Sequence, residues 1–156
     1  LLKKLVEVGG MYDPESMSSL EAIEDRLKMV YVYNSSSEDF LKVMNNIPFE
    51  IKRVYYIYDF DSNKSVRGYH AHKSLEQVLF CISGSFTLRL YDGHNHYEEK
   101  LNKPNIGLFI GKYIWHTMHN FSNDCIILVF ASGHFNESDY IRDYDDFNNI
   151  ISERKI

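Results

Sequence analysis

From Ile47 onward the chain reads as one short apolar run after another. FEIKRVYYIYDF (49–60), LEQVLFCISG (75–84), SFTLRLYDG (85–93), YEEKLN (97–102), IGLFIG (106–111), IWHTMHNF (114–121) and CIILVFAS (125–132) are separated by Gly, Asn, Asp, Ser or Pro clusters. Runs of this kind, rich in β-branched and aromatic residues and bounded by turn formers, predict the strands of an antiparallel sandwich or barrel. SGS at 83–85 and YDGHNHY at 91–97 carry hairpin signals, the second through Asp-Gly. The last segment, NESDYIRDYDDFNNIISERKI, changes period. Apolar and aromatic residues at Tyr140, Tyr144, Phe147 and Ile151 have helical spacing, and Asn136 or Ser138 is the candidate cap. The expected fold class is all-β, a small barrel with a short C-terminal helix packed on its outside.

The residues before Ile47 read differently. SSLEAIEDRLKMV fits a short helix capped by Ser19, with Leu20, Ile23, Leu27 and Val30 on one face, whereas EAIEDRLKMVYVY equally suits the start of a strand. NSSSEDFLKVMNN reads as a Ser-rich loop and a brief amphipathic turn with Ser37 as its cap. Residues 1–45 are therefore taken as an N-terminal strand and loop extension and 46–156 as the barrel. At 156 residues both belong to one domain.

Composition sharpens this picture. Twelve Tyr and ten Phe favour strands, where flat rings pack on a pleated surface. A net charge of −5 argues against a broad nucleic-acid surface, so an anionic ligand requires a local cluster of Arg and Lys. No apolar run approaches the roughly 20 residues of a membrane helix, and no positively charged start leads into a signal-like core, which points to a cytoplasmic protein. Cys81 and Cys125 each lie in an apolar strand-like run and are expected to be buried thiols.

The chemistry concentrates in VRGYHAHKSLEQ. His70 and His72 are two apart and so share a face of an extended strand. In YIWHTMHN, His116 shares a face with Ile114, Met118 and Asn120, while Trp115, Thr117 and His119 lie opposite. If His116 faces inward with the first pair, then His70, His72, Glu76 and His116 offer the ligand types of a mononuclear metal site. His94 and His96 also form an HxH, but they flank a hairpin turn where exposed polar residues are routine.

HAHKSLE followed by HTMHN resembles the two motifs of the cupin superfamily. The longer block from NIPFEIKRVYYIYDF through VRGYHAHKSLEQVLFCISGSFTLRLYDG and GLFIGKYIWHTMHNFSNDCIILVFAS to NESDYIRDYDDF resembles the sugar 3,4-ketoisomerases that act on dTDP-4-keto-6-deoxyglucose. This resemblance implies a cupin (RmlC-like) jelly-roll barrel, a homodimer and a dTDP-linked 4-keto-6-deoxy sugar as substrate. It also implies catalysis with no metal and no other cofactor. The product would be a 3-keto sugar for 3-amino-3,6-dideoxyhexoses of bacterial surface polysaccharides. Family members carry DxRGSLVAIE near the site, where this chain has PESMSSLEAIE, with Met17 and Ser18 in place of Arg-Gly.

A ketone at C4 acidifies the hydrogen on C3, so one shuttling base can carry the carbonyl from C4 to C3 through an enediol. Histidine, with an ordinary pKa near 6.5, suits that work. The resemblance assigns the base to His72, with His70 orienting the substrate. Tyr58, and after it Tyr56, are the expected hydrogen-bond partners of the sugar or the enediolate; alternation sets them on one face of their strand and Arg53 and Tyr55 on the other. Arg67 is the expected diphosphate contact, because a guanidinium holds phosphate oxygens bidentately. Glu76 and His116 position the histidine pair and line the pocket under this reading. Two alternatives are a metal-dependent cupin, either dioxygenase or sugar isomerase, and a non-catalytic nucleotide-sugar-binding cupin.

Overall fold

The structure, a computed structural model, describes residues 27–31, 47–60 and 66–154. Ten strands are described: β1 (Leu27–Tyr31), β2 (Arg53–Ile57), β3 (Arg67–His72), β4 (Gln77–Ser83), β5 (Phe86–Tyr91), β6 (His96–Leu101), β7 (Ile106–Ile110), β8 (Trp115–His119), β9 (Ile126–Ala131) and β10 (Tyr140–Ile141). They form two five-stranded sheets, β1-β7-β4-β9-β2 and β10-β3-β8-β5-β6, and every pairing within them is antiparallel. This is a double-sheet jelly roll, as expected. Over Leu27–Tyr31 the strand reading of the N-terminal region holds. The rest of the Ser19 helix, the Ser37 turn, and Met17 and Ser18 lie outside the described residues.

The inner faces of the two sheets meet in one apolar core built from Leu79, Leu88, Leu90, Leu108, Ile127 and Val129 among others. One end of the barrel is plugged. Phe60 stacks on Phe121 with centroids 4.0 Å apart, beside Phe86 and the buried free thiols Cys81 and Cys125. The opposite end, where β3 finishes and β4 and β8 begin, is lined by polar side chains and carries the histidines.

The C-terminal helix, α1 (Tyr144–Glu153), starts later than its spacing suggested. Its cap is Asp143, whose Oδ1 accepts from the amides of Asp145 and Asp146 at 2.9 Å. Asn136 caps instead a short 3-10 turn, Glu137–Asp139, and Tyr140 belongs to β10. Two consecutive cap-rich stretches compete in this segment, and the one followed by a continuous apolar stripe wins the helix. Phe147 and Ile151 bury against Ala71, Trp115 and Ile141 on the outer face of the second sheet, so the helix lies outside the barrel, as expected.

Candidate active site

His70, His72 and His116 are brought together on the inner face of the second sheet. His70 pairs in register with His116, and His116 with Leu90 of the core. The ring centroids lie 4.3 Å apart for His70 and His116, 4.9 Å for His70 and His72, and 6.3 Å for His72 and His116. A β-bulge sets this arrangement. Gly68 and Tyr69 both take positive φ, 95° and 55°, and interrupt the β3–β8 register just before His70. An extra residue of this kind re-aims the side chains that follow it. Only glycine fits at position 68, because a Cβ there would lie 2.7 Å from the carbonyl oxygen of His116.

The inward side chains are tied down through their Nδ1 atoms. His70 Nδ1 bonds the Gly68 carbonyl at 3.0 Å, and His72 Nδ1–H donates to Asp139 Oδ2 at 3.0 Å. Such bonds select the tautomer that leaves Nε2 unprotonated. The Nε2 of His72 is buried and has no hydrogen-bond partner in the protein. Burial, and then the neighbouring His70, lower the pKa of His72 to about 4, and Asp139 only partly opposes them. Burial likewise lowers His70, and it holds His116 well below its ordinary value. At neutral pH the cluster is a set of neutral imidazoles. His72 among them presents a free lone pair.

Asp139 was not identified from sequence, and it anchors the site. Its Oδ1 accepts from the Ser74 amide at 2.8 Å and the Ser74 hydroxyl at 2.5 Å, while Oδ2 accepts from the Leu75 amide at 3.2 Å as well as from His72. Burial pushes this carboxyl up, but the Ser74 and Leu75 bonds and the nearby His72 outweigh it, and the pKa lies below the ordinary value. The carboxylate therefore stays ionised and fixes the imidazole that it holds. Tyr140, the next residue, lies against both histidines, with ring centroids 4.8 Å from His70 and 4.3 Å from His72.

The remaining candidates fall elsewhere. Tyr56, on the outer side of β2, and Tyr58, just past its end, are 64% and 63% exposed and pair with each other at 5.6 Å. The inner positions of β2 are Arg53, Tyr55 and Ile57, with Tyr55 and Ile57 packed against the core. Glu76 precedes β4 in the other sheet and is tied through its backbone to Ser132. The next residue, Gln77, is 3% exposed and reaches the Tyr55 hydroxyl. The chain leaves one sheet after His72 and enters the other at Gln77, so the strand alternation counted from the histidines does not carry through to Glu76. Arg67 is exposed at the start of β3. Among the described residues no three His, Cys, Asp or Glu side chains converge as a metal-holding group. His94 and His96 flank the β5–β6 turn, where Asp92 Oδ1 accepts from the amides of His94 and Asn95.

Comparisons with known proteins agree with this geometry. The family model described as FdtA: WxcM-like, C-terminal matches residues 16–152. The TDP-4-oxo-6-deoxy-alpha-D-glucose-3,4-oxoisomerase of Aneurinibacillus thermoaerophilus is 51% identical over 108 residues, covering 69% of this chain and 77% of that protein. A 3,4-ketoisomerase from Helicobacter canadensis superposes with a TM-score of 0.72 at 44% identity, over 81% of this chain and 97% of that one. QdtA, a sugar 3,4-ketoisomerase from Thermoanaerobacterium thermosaccharolyticum solved in complex with TDP, gives a TM-score of 0.75 at 34% identity, over 86% and 100%. At 11% identity the rmlC epimerase of Mycobacterium tuberculosis shares only the fold, with a TM-score of 0.57 over 76% of this chain and 68% of that one. The family model covers both the histidine cluster and the helix that backs it, and the chain belongs to the FdtA, WxcM-like C-terminal family of sugar 3,4-ketoisomerases.

Proposed function

We propose that this protein moves the keto group of TDP-4-keto-6-deoxy-D-glucose from C4 to C3, with His72 as the base that carries the proton. One observation carries the reading: a buried, neutral imidazole whose Nδ1–H is held by an ionised aspartate and whose Nε2 is free at the polar end of the barrel. His72 Nε2 takes the C3 hydrogen as a proton, and the electron pair left behind forms the C3–C4 double bond. The former carbonyl oxygen becomes an enediolate oxygen. The O3 hydroxyl proton passes to the O4 enediolate oxygen, the same imidazole, now protonated, returns its proton at C4, and the carbonyl re-forms at C3. Asp139 stabilises the transient imidazolium, which is why a base with so low a resting pKa remains competent.

His70 and His116, neutral and packed edge to face, shape the wall beside His72 and orient the sugar. Arg67 is the proposed diphosphate contact, and Glu76 keeps only an indirect place beside Gln77. A nucleotide-linked substrate is supported by the solved relative that carries TDP. The 3-keto product suits a later aminotransferase, and such chemistry belongs in the cytoplasm; among the described residues no helix is long and apolar enough to cross a membrane.

The working unit is a homodimer in this proposal. Val54, Tyr56, Tyr58 and Ile82 are exposed on the outer face of the β1-β7-β4-β9-β2 sheet, continuous with the partly buried Leu128 and Phe130. An apolar sheet face of this kind suits a second copy better than water. Sedimentation equilibrium showing only monomers at micromolar concentration refutes the dimer. The activity itself is tested by incubating the protein with TDP-4-keto-6-deoxyglucose and a chelator and following the sugar by NMR. A new 3-keto signal is expected, and an unchanged spectrum overturns the assignment.

A further inference from the structure

The carboxylate that holds His72 is itself held, and the group closest to it is a side chain that the proton transfer does not touch. Asp139 is fixed first through its main chain. Its carbonyl accepts from the Lys73 amide at 2.9 Å, and its own amide donates to the Asn136 carbonyl at 3.1 Å. The Lys73 ammonium donates to the neighbouring Ser138 carbonyl at 2.9 Å. With the backbone pinned on both sides, the freedom that remains is rotation of the carboxylate, and three donors on the corner between β3 and β4 settle it. The Ser74 amide and hydroxyl meet Oδ1 at 2.8 and 2.5 Å, and the Leu75 amide meets Oδ2 at 3.2 Å, which leaves Oδ2 facing Nδ1–H of His72.

The hydroxyl differs from the other two corner donors. Its contact is the shortest of the four on Asp139 and lies in the range of charge-assisted O–H···O⁻ bonds, which are about twice as strong as neutral ones. It is also the one corner donor that a substitution can remove, since every residue except proline supplies an amide. Burial pushes the Asp139 carboxyl up, and of the groups that pull it down the Ser74 hydroxyl comes first. A carboxylate spreads its charge over two oxygens, so a strong bond on Oδ1 draws charge from Oδ2. The attraction of Oδ2 for the His72 proton weakens accordingly.

That attraction matters because the rest of the site works against a charged imidazole. Facing His72 are His70 on its own strand, His116 on β8, Tyr140 on β10 and Arg53 on β2. Burial first, then His70, and more weakly Arg53, disfavour the protonated form, and Asp139 opposes them. The strength of the base therefore follows the charge left on Oδ2.

We propose that Ser74 is a positioning residue of this isomerase: its hydroxyl stops the rotation of Asp139 and shares its charge, and so sets how firmly His72 holds the proton that it carries between C3 and C4. The effect on turnover rests on the ketoisomerase reading. The hydrogen-bond chain from Ser74 to His72 is measurable without substrate.

The test compares Ser74→Val with Ser74→Thr, two side chains of one shape that differ by the hydroxyl; valine also fills the space through which water could replace the lost donor. Nitrogen NMR reads the protonated fraction of His72 at pH 5, its signals assigned by their absence from His72→Asn, and kcat and KM are measured on TDP-4-keto-6-deoxyglucose at pH 7. With a pKa of about 4, roughly a tenth of His72 is protonated at pH 5 in wild type. Ser74→Val is expected to raise that fraction about two- to threefold, because the charge returned to Oδ2 favours the imidazolium. Its kcat should fall by about three- to tenfold with KM nearly unchanged, since a proton held more firmly returns to C4 more slowly and a carboxylate that turns more freely aims the base less well. Ser74→Thr should match wild type in both. A purely structural role would lower the melting temperature and leave the protonated fraction where it was. Equal fractions in Ser74→Val and wild type overturn the proposal, as does a Ser74→Thr that behaves like Ser74→Val, or a loss confined to KM. If Ser74→Val is unfolded at pH 5, Ser74→Ala takes its place, and an unaltered fraction there overturns the proposal. A wild type that converts no sugar removes the ketoisomerase reading and the effect on turnover with it, while the NMR comparison still decides whether Ser74 controls His72.

Discussion

Replacing Asp139 with asparagine isolates the part of the site that fixes His72. The carboxylate accepts four donors, two on each oxygen: the Ser74 amide and hydroxyl on Oδ1, and His72 Nδ1–H and the Leu75 amide on Oδ2. An asparagine of the same shape offers one oxygen and one NH2 group, so two of those donors meet another donor. If the NH2 faces His72, the imidazole must accept through Nδ1, and its proton moves to Nε2. The base then no longer has a lone pair where the C3 hydrogen is taken. If the NH2 faces Ser74, the Ser74 amide is orphaned instead. Either orientation leaves one main-chain amide unpaired, at about 1–3 kcal/mol. Thermal unfolding should show this as a decrease of roughly 2–12 °C in Tm, given about 2–4 °C per kcal/mol for a domain of this size. Turnover should fall much further than stability, by about 10²–10⁴-fold, as the wrong tautomer does in other His–Asp pairs. Nitrogen NMR of the histidines reads the tautomer directly. A variant that shows the Tm loss but keeps kcat within about threefold of wild type refutes the reasoning, because Asp139 would then be holding the loop and not the base.

Other outcomes follow from the same geometry. Gly68→Ala places a Cβ 2.7 Å from the His116 carbonyl oxygen at a φ of +95°, and should cost about 1–3 kcal/mol in denaturant unfolding; an unchanged midpoint contradicts the bulge geometry. Stability should also fall on acidification. His72 drops from an ordinary 6.5 to about 4 in the folded protein, so between those values the unfolded chain binds a proton that the native state does not. The slope is therefore positive in pH, and His72 alone contributes a loss of about 3 kcal/mol by pH 4, at 1.36 kcal/mol per unit. His70 and His116, also lowered, act in the same direction. A Tm that stays level from pH 7 to 5, or a His72→Asn variant with the wild-type slope, contradicts this.

Much of the barrel was legible because its strands are bounded by strong turn signals and half of its positions obey a period of two. Alternation alone put His116 and His119 on opposite faces of their strand, and the β8 register, which pairs His116 with Leu90 of the core, sets His116 as the inward one. Alternation also separated Tyr55 from Tyr56 and Tyr58. It could not say which set faced in, because the first sheet is apolar on both sides, with Val78, Phe80, Leu128 and Phe130 on its outer face. A strand with two apolar faces loses the inside-outside signal. Glu76 was placed with the histidines by its residue type and its position after them in HAHKSLE, and the chain changes sheets between His72 and Gln77. Asp139 lies 67 residues from His72 in a segment that reads as a helix start. Its Asn-Glu-Ser-Asp string marks a cap-rich turn but not the partner to which that turn delivers a carboxylate. Cap chemistry finds local bonds, and this one is tertiary.

The central claim, that His72 moves the C3 proton, is tested most directly by dissolving TDP-4-keto-6-deoxyglucose in heavy water with a chelator and following the C3 hydrogen by proton NMR. Wild type and His72→Asn are compared at equal TDP saturation. The account predicts that the C3 signal disappears as deuterium enters and a 3-keto sugar forms with wild type, and that both are lost with His72→Asn. Exchange at the wild-type rate in the variant, or no exchange with wild type, would contradict it.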